Sequence, residues 1–461
     1  MQSLAFWRRG AASDNFSTLP THVPFNDERQ EEIHRRPTMT AGVSFAGGCC
    51  CCCLCSIIVL LVVVYFVLLN YLTNLAVDEM LIIDEDKVME FCESGLTPPN
   101  MTANIWWPGC GETGSMAALN DTCTLPCYRG EILQSMDAQR QEMGWKKVSY
   151  KSRVAEDIQT IELAGWWLPA NRSGAPRIVI QHGFQANSNK FRPQLMAGML
   201  RALGYSVLLN NLRDHCYSQR SEAHIYEWGH AYPYDVLGAL DFARNDPDGV
   251  LGGPVPDEKV GLLGISKGAF LTQITFGMEA SLPAAWVDAP PFTADAVFRN
   301  GAKNKFREMG LPDMVYDNTI DDVWERVQAA ALAKGVNLTK HTPAEMLPLG
   351  PDKARPLFMV ANKDDRTVPI SQNTLYAELF SKYPEKYTVS HWLPEGSCHD
   401  TSHCVAHFMA YDDYLARLCE FWRGAFHQPP DDCPPLSGSG GGRRGRGKRR
   451  RRRRQKHLRA L

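Results

Sequence analysis

The feature that most constrains the fold is the run KVGLLGISKGAFLTQITFGMEA, Lys259 to Ala280, where a short apolar strand turns within a few residues into a helix. The same alternation fills Val148 to Phe426. IQTIELAGWWLPA, RIVIQHGF, SVLLNNLR, AAWVDAPP, PLFMVANK and YTVSHWLP are short apolar runs bounded by turn residues, and helical stretches such as PQLMAGMLRALG and YPYDVLGALDFAR separate many of them. Strands alternating with helices in this way build a mostly parallel central sheet with helices on both faces. The expected globular domain runs from 146 to 426.

The flanks have a different character. Residues 1–48 are polar, mixed in charge and without period, and read as a disordered tail. No charged residue stands between Arg36 and Asp78, and Ser56 to Val77 is a 22-residue apolar run, enough to cross a hydrocarbon core of roughly 30 Å as a helix. Segment 49–77 is therefore read as a Cys-rich membrane edge followed by a single N-terminal transmembrane helix. It begins too far along the chain and is too long for a signal peptide. Arg29, Arg35 and Arg36 precede the span and Asp78, Glu79, Asp84, Glu85 and Asp86 follow it, which puts the N-terminus in the cytosol by the positive-inside rule. The rest is then lumenal or extracellular. Four N-x-S/T sequons at Asn100, Asn120, Asn171 and Asn337 and nine scattered cysteines lie on that side and suit an oxidising, glycosylating compartment. The six cysteines from Cys49 to Cys55 face the cytosolic edge, where S-palmitoylation is expected. Segment 78–145, with four cysteines, reads as a disulfide-stapled stalk or cap, and 427–461 as a disordered Pro/Gly/Arg-rich tail. Twelve of the basic residues lie between Arg443 and Arg459. Without them the net charge of −2 becomes −14, so the folded part is acidic and no nucleic-acid partner is expected. The basic tail is suited to anionic surfaces.

The chemistry-bearing motif is Gly264-Ile265-Ser266-Lys267-Gly268, a G-x-S-x-G directly after a strand and before a helix. A tight turn there projects the serine hydroxyl above the sheet, and the following helix N-terminus favours negative charge. Upstream, RIVIQHGF ends a strand in His182-Gly183-Phe184. The backbone amides of Phe184 and Lys267 are the expected oxyanion hole. A serine nucleophile needs a base, and the base an orienting acid. Downstream strands end in Asp364-Asp365 and in the loop carrying His399. The order Ser, Asp, His is the one this kind of turn uses, and the expected triad is Ser266, Asp365 and His399. Cys398, His399, His403, Cys404 and His407 also form a dense cluster with a His-x3-His pair. A zinc site reads from it as an alternative, as does a Cys398–Cys404 disulfide.

Residues 148 to 426 resemble an α/β-hydrolase. LLNNLRDHCYSQ resembles the family's D-x-R-x-H-G-x-S segment, with Asn211 at the Asp position and Cys216 at the glycine. EWGHAYPYDVLGALDFA resembles the helix that follows it. KDDRTVP resembles the D-x-x-V-P acid motif, which selects Asp365 over Asp364, and SCHDT resembles a G-H-x-D histidine turn with Cys398 in place of glycine. The resemblance implies hydrolysis of an ester, thioester or amide through an acyl-enzyme. The segment 292–349, between the sixth and seventh core strands, is expected to form a cap, the substrate is expected to be a small-molecule or lipid acyl compound, and no cofactor or metal is expected. The family includes non-catalytic members, so a membrane-anchored binding domain is the alternative.

Overall fold

The computed structural model describes residues 50–89, 92, 144–394, 403–429 and 433–436. The tail 1–48, most of segment 78–145, Asn100, Asn120, Cys398, His399 and the arginine-rich tail lie outside the described residues. The chain divides into two units, Met1–Leu72 and Thr73–Leu461.

In the first unit the described residues belong to helix α1, Cys50–Met80, whose last turns extend into the second unit. Ile57, Val59, Leu61, Val64 and Phe66 are each at least half exposed. A helix apolar along most of its length and largely exposed, apart from buried Leu69 and Leu72, suits a hydrocarbon surround. The Cys55–Met80 stretch is long and apolar enough to cross a membrane, reaching about 39 Å at 1.5 Å per residue.

The second unit is an eight-stranded sheet with the order β1-β2-β4-β3-β5-β6-β7-β8. Its strands are β1 Lys146–Lys151, β2 Glu162–Leu168, β3 Arg177–Gln181, β4 Ser206–Asn210, β5 Val260–Ile265, β6 Ala285–Asp288, β7 Arg355–Val360 and β8 Tyr387–Trp392. The β1–β2 and β2–β4 pairings are antiparallel, and all others are parallel. The helices are α2 Glu85–Val88, α3 Phe191–Ala202, α4 Tyr232–Asn245, α5 Lys267–Met278, α6 Ala294–Glu308, α7 Asp313–Leu332, α8 Pro343–Met346, α9 Ser371–Ser381, α10 Ala406–Met409 and α11 Tyr411–Ala425. This mostly parallel sheet with helices on both faces is the α/β-hydrolase fold that the sequence led us to expect.

Strands β3, β4, β5 and β6 are buried at every residue, which explains why they read as unbroken apolar runs rather than alternating ones. Alternate residues serve opposite faces. Ile178 and Ile180 join Val207, Leu263, Trp286 and Val360 in one core layer with Met196 and Leu200 of α3 and Tyr414 and Trp422 of α11. On the other face α4 packs on α5, and α5 on β5. Between β6 and β7, where the cap is expected, stand α6 and α7. They are held together by Phe298 stacked on Trp324 (5.0 Å) and Phe306 against Tyr316 (5.6 Å).

Two features join distant parts of the domain. The residues just past α1, read from sequence as the start of a stalk, are built into it. Tyr226 N–H donates to Leu81 C=O (2.8 Å), Ile82 bridges Ile225, Cys216 N–H donates to Val88 C=O (3.2 Å), and Cys92 is disulfide-bonded to Cys216. A second disulfide, Cys419–Cys433, closes α11 onto the chain that follows it. Behind the loop after β4, Arg213 donates through its amide, Nε and Nη2 to the Asp235 carboxylate on α4 at 2.8–3.0 Å, both side chains being buried. Burial raises the Asp235 pKa and Arg213 opposes that rise.

Removing one member of a buried pair leaves the other charge without its partner. Asp235→Ala should therefore lower unfolding stability by about 3–5 kcal/mol, read as a fall in denaturation midpoint. An unchanged midpoint would show that the pair carries no such weight.

Candidate active site

Phe184, Ser266 with Lys267, and Asp365 stand just beyond the C-terminal ends of the parallel strands β3, β5 and β7, where open α/β sheets place their sites. Ser266 joins β5 to α5 with φ 55° and ψ −122°, a strained conformation for a residue with a side chain. The two motif glycines let α5 start so close to the sheet. A Cβ at Gly268 would stand 2.3 Å from Gln181 O at the end of β3, and one at Gly264 would stand 2.3 Å from Gly268 O and 2.4 Å from Thr272 Oγ1. The turn is held by Ser266 N–H donating to Asp288 C=O (2.8 Å), while Ser266 C=O accepts from the amides of Ala269 (2.8 Å) and Phe270 (3.1 Å).

Ser266 Oγ lies 2.8 Å from His403 Nε2, and His403 Nδ1 lies 2.7 Å from Asp365 Oδ2. The other carboxylate oxygen accepts from the amides of Thr367 (2.8 Å) and Val368 (2.9 Å). This gives the D-x-x-V-P pattern a physical meaning, since residues two and three beyond the acid clamp it. Asp365 is buried and Asp364 is exposed.

The base position expected for His399 is occupied by His403, four residues on, and His399 lies outside the described residues. His403 was visible in the sequence as part of the His/Cys cluster, but was grouped there as a metal alternative. Its neighbour Cys404 is a buried free thiol, so it is not disulfide-bonded to Cys398. Cys404 Sγ lies 3.4 Å from His403 Nε2, and burial raises the thiol pKa. His407 is buried with its ring 5.7 Å from Tyr414. Among the described residues no group of three or more His, Cys, Asp and Glu side chains could hold a metal.

The turn after β3 lies against the serine, and a Cβ at Gly183 would stand 3.3 Å from Ser266 Cβ. His182 is buried, with Nδ1 2.9 Å from Gly183 O and Leu212 N–H directed at Nε2 (3.4 Å). That arrangement suits the neutral ring protonated on Nδ1. Burial, then Lys267, hold its pKa down at about 3. Phe184 follows, its ring packed on Tyr226 (4.5 Å) and Trp228 (5.8 Å). Lys267 is the first residue of α5, where amides have no intrahelical acceptor. The two amides expected to form the oxyanion hole thus belong to the segments adjoining Ser266.

The departures from the family segment also have structural explanations. Asn211 Oδ1 accepts from Ser188 N–H (2.7 Å), tying down the loop after Phe184. Cys216 has φ 52°, the left-handed conformation that glycine adopts without strain, and its disulfide to Cys92 fixes it there.

No protein-family model matches the chain, and no curated protein matches it. Among solved structures it is similar to an esterase of Pyrococcus furiosus at 17% identity, with a TM-score of 0.44 over 61% of this chain and 92% of that one. An α/β hydrolase of a Penicillium species matches at 15% identity and TM-score 0.42, covering 61% and 99%. An acylaminoacyl peptidase of Pyrococcus horikoshii matches at 16% and 0.43, covering 63% of this chain and 44% of its own.

Burial alone would lower the His403 pKa, but the Asp365 carboxylate, with Cys404, outweighs it and raises the value to about 10. A base must be neutral, so activity should rise with pH as His403 loses its proton and be lost as pH falls. Asp365→Asn removes the charge that holds the proton. The acid limb of kcat/KM should move to lower pH, while kcat falls by about 10⁴-fold. A limb that stays in place would separate Asp365 from the titration. His399→Ala should retain both the limb and the rate.

Proposed function

We propose that the protein is a membrane-anchored serine hydrolase that cleaves an ester, thioester or amide through an acyl-enzyme on Ser266. The observation that carries this reading is the continuous line from Ser266 Oγ to His403 Nε2 and from His403 Nδ1 to Asp365, at 2.8 and 2.7 Å, ending on a serine in a strained strand-to-helix turn. His403 takes the Ser266 proton as Oγ attacks the substrate carbonyl. Asp365 keeps the imidazole oriented and stabilises its protonated form. The carbonyl oxygen gains negative charge facing the amides of Phe184 and Lys267. His403 then protonates the leaving group, and a water activated by the same ring releases the acid.

The apolar exposed helix α1 is proposed as the anchor, with the N-terminus cytosolic and the hydrolase domain lumenal or extracellular. The two disulfides among the described residues support an oxidising surround. Asn171 and Asn337, the two described sequons, are both exposed and open to glycosylation. The helical pair α6 and α7 is proposed as the cap, and an acyl ester or lipid as the substrate class.

Labelling of the detergent-solubilised protein with a fluorophosphonate tests the reading. Wild type should label, Ser266→Ala and His403→Ala should not, and Ser266→Ala should lose about 10⁶-fold in turnover with an unchanged circular dichroism spectrum. A folded wild-type protein that does not label would favour a non-catalytic binding domain.

A further inference from the structure

The residue after the nucleophile is a lysine that the proposed chemistry uses only through its backbone. Its side chain is turned inward and is 1% exposed, and Nζ has no hydrogen-bond partner among the described residues. Three aromatic rings surround the ammonium. Its Nζ stands 4.4 Å from the centroid of Tyr232, 4.6 Å from that of Tyr226 and 5.8 Å from that of Phe184. Ring faces attract a cation at these distances, but they do not replace its lost hydrogen bonds.

The carboxylates that attract it, Asp235 and Asp214, are committed elsewhere. Asp235 is held by the Arg213 guanidinium, and Asp214 accepts from Ser221 and lies 2.9 Å from His224 Nδ1. Burial draws the Lys267 pKa down to about 7 against the pull of both. Its charge also acts on its neighbours, since after burial it is the largest influence lowering the pKa of His182 and His215. A methionine would fill the same volume without a buried charge.

The position of the cage supplies a use for that charge. The lysine's own amide is one expected oxyanion donor. Phe184, whose ring closes the cage, supplies the other through its backbone. We propose that the Lys267 ammonium is an electrostatic component of the oxyanion site, retained at a cost in stability because its charge is balanced only when the tetrahedral intermediate forms. In that step the Ser266 Oγ–carbon bond forms, the carbonyl π pair moves onto oxygen, and the serine proton passes to His403 Nε2. Lys267 exchanges no proton and acts through its field. This rests on the acyl-enzyme reading above.

The test compares full-length wild type, Lys267→Met and Lys267→Gln in detergent with a chromogenic short-chain aryl ester. Both variants should melt at or above the wild-type temperature. Their kcat should fall by about 10- to 100-fold, less than for loss of a direct oxyanion donor, with KM within about threefold. Unchanged kcat would overturn the proposal. So would a lower melting temperature or failure to fold, which would make the lysine structural. Retained activity in Lys267→Gln alone would assign the effect to hydrogen bonding rather than charge. A wild type that neither hydrolyses the ester nor labels with fluorophosphonate would instead overturn the acyl-enzyme reading, and this inference with it.

Discussion

The close approach of α5 to the ends of β3 and β5 is the constraint on which the rest depends. Side chains at 264 and 268 would collide with backbone oxygen at 2.3 Å, so the helix can start there only with glycine at both positions. Ser266 between them is forced to φ 55°, a strain of about 1–3 kcal/mol. That conformation persists because neighbouring groups over-determine it. The serine amide is tied to β6 through Asp288, and its carbonyl receives the first amides of the helix. In return the hydroxyl is fixed above the sheet, within reach of His403, and the first helical amide opens beside it. The strained turn, the hydroxyl placed beside His403 and the free first amide of the helix all follow from one packing contact.

A second set of contacts links the chain after α1 to the same region. Leu81 and Ile82 pair with Tyr226 and Ile225, Val88 C=O receives Asn187 Nδ2 (2.9 Å), and Lys87 Nζ donates to Gln185 Oε1 (2.8 Å). Gln185 and Asn187 follow Phe184 directly, and Tyr226 packs on its ring. The loop carrying an expected oxyanion donor is therefore supported on one side by residues adjoining the apolar helix. Cys216 belongs to this arrangement. Its left-handed backbone would favour glycine, and a side chain there is accommodated by its covalent tie to Cys92.

The legible parts of the sequence were those set by local rules. The interior strands β3 to β6 are buried on both faces and so appear as apolar runs. The turn at Ser266 needs glycines two residues either side. Asp365 is marked by the residues whose amides clamp it. The strap from Leu81 to Val88 was not legible, because its partners lie more than 90 residues away and several of them pair through backbone atoms that carry no sequence signature. The Lys267 cage was missed for a similar reason. Phe184, Tyr226 and Tyr232 come together only when β3, the loop after β4 and α4 are assembled, and a lysine after the serine reads alone as a solvated charge.

His399, expected as the base, lies outside the described residues, and His403 stands between Ser266 and Asp365. Asp365 is fixed by its own backbone clamp and buried before any histidine is considered, and the serine is fixed by its turn. The two define a gap of one imidazole's width, with an acceptor at one end and a hydroxyl at the other. Among the described residues the histidine in that gap is His403. Cys404 next to it takes a left-handed backbone (φ 51°), is buried, and places its Sγ 3.4 Å from His403 Nε2. Ser266 and Asp365 are thus marked by sequence pattern, whereas the histidine between them is read from the space they leave.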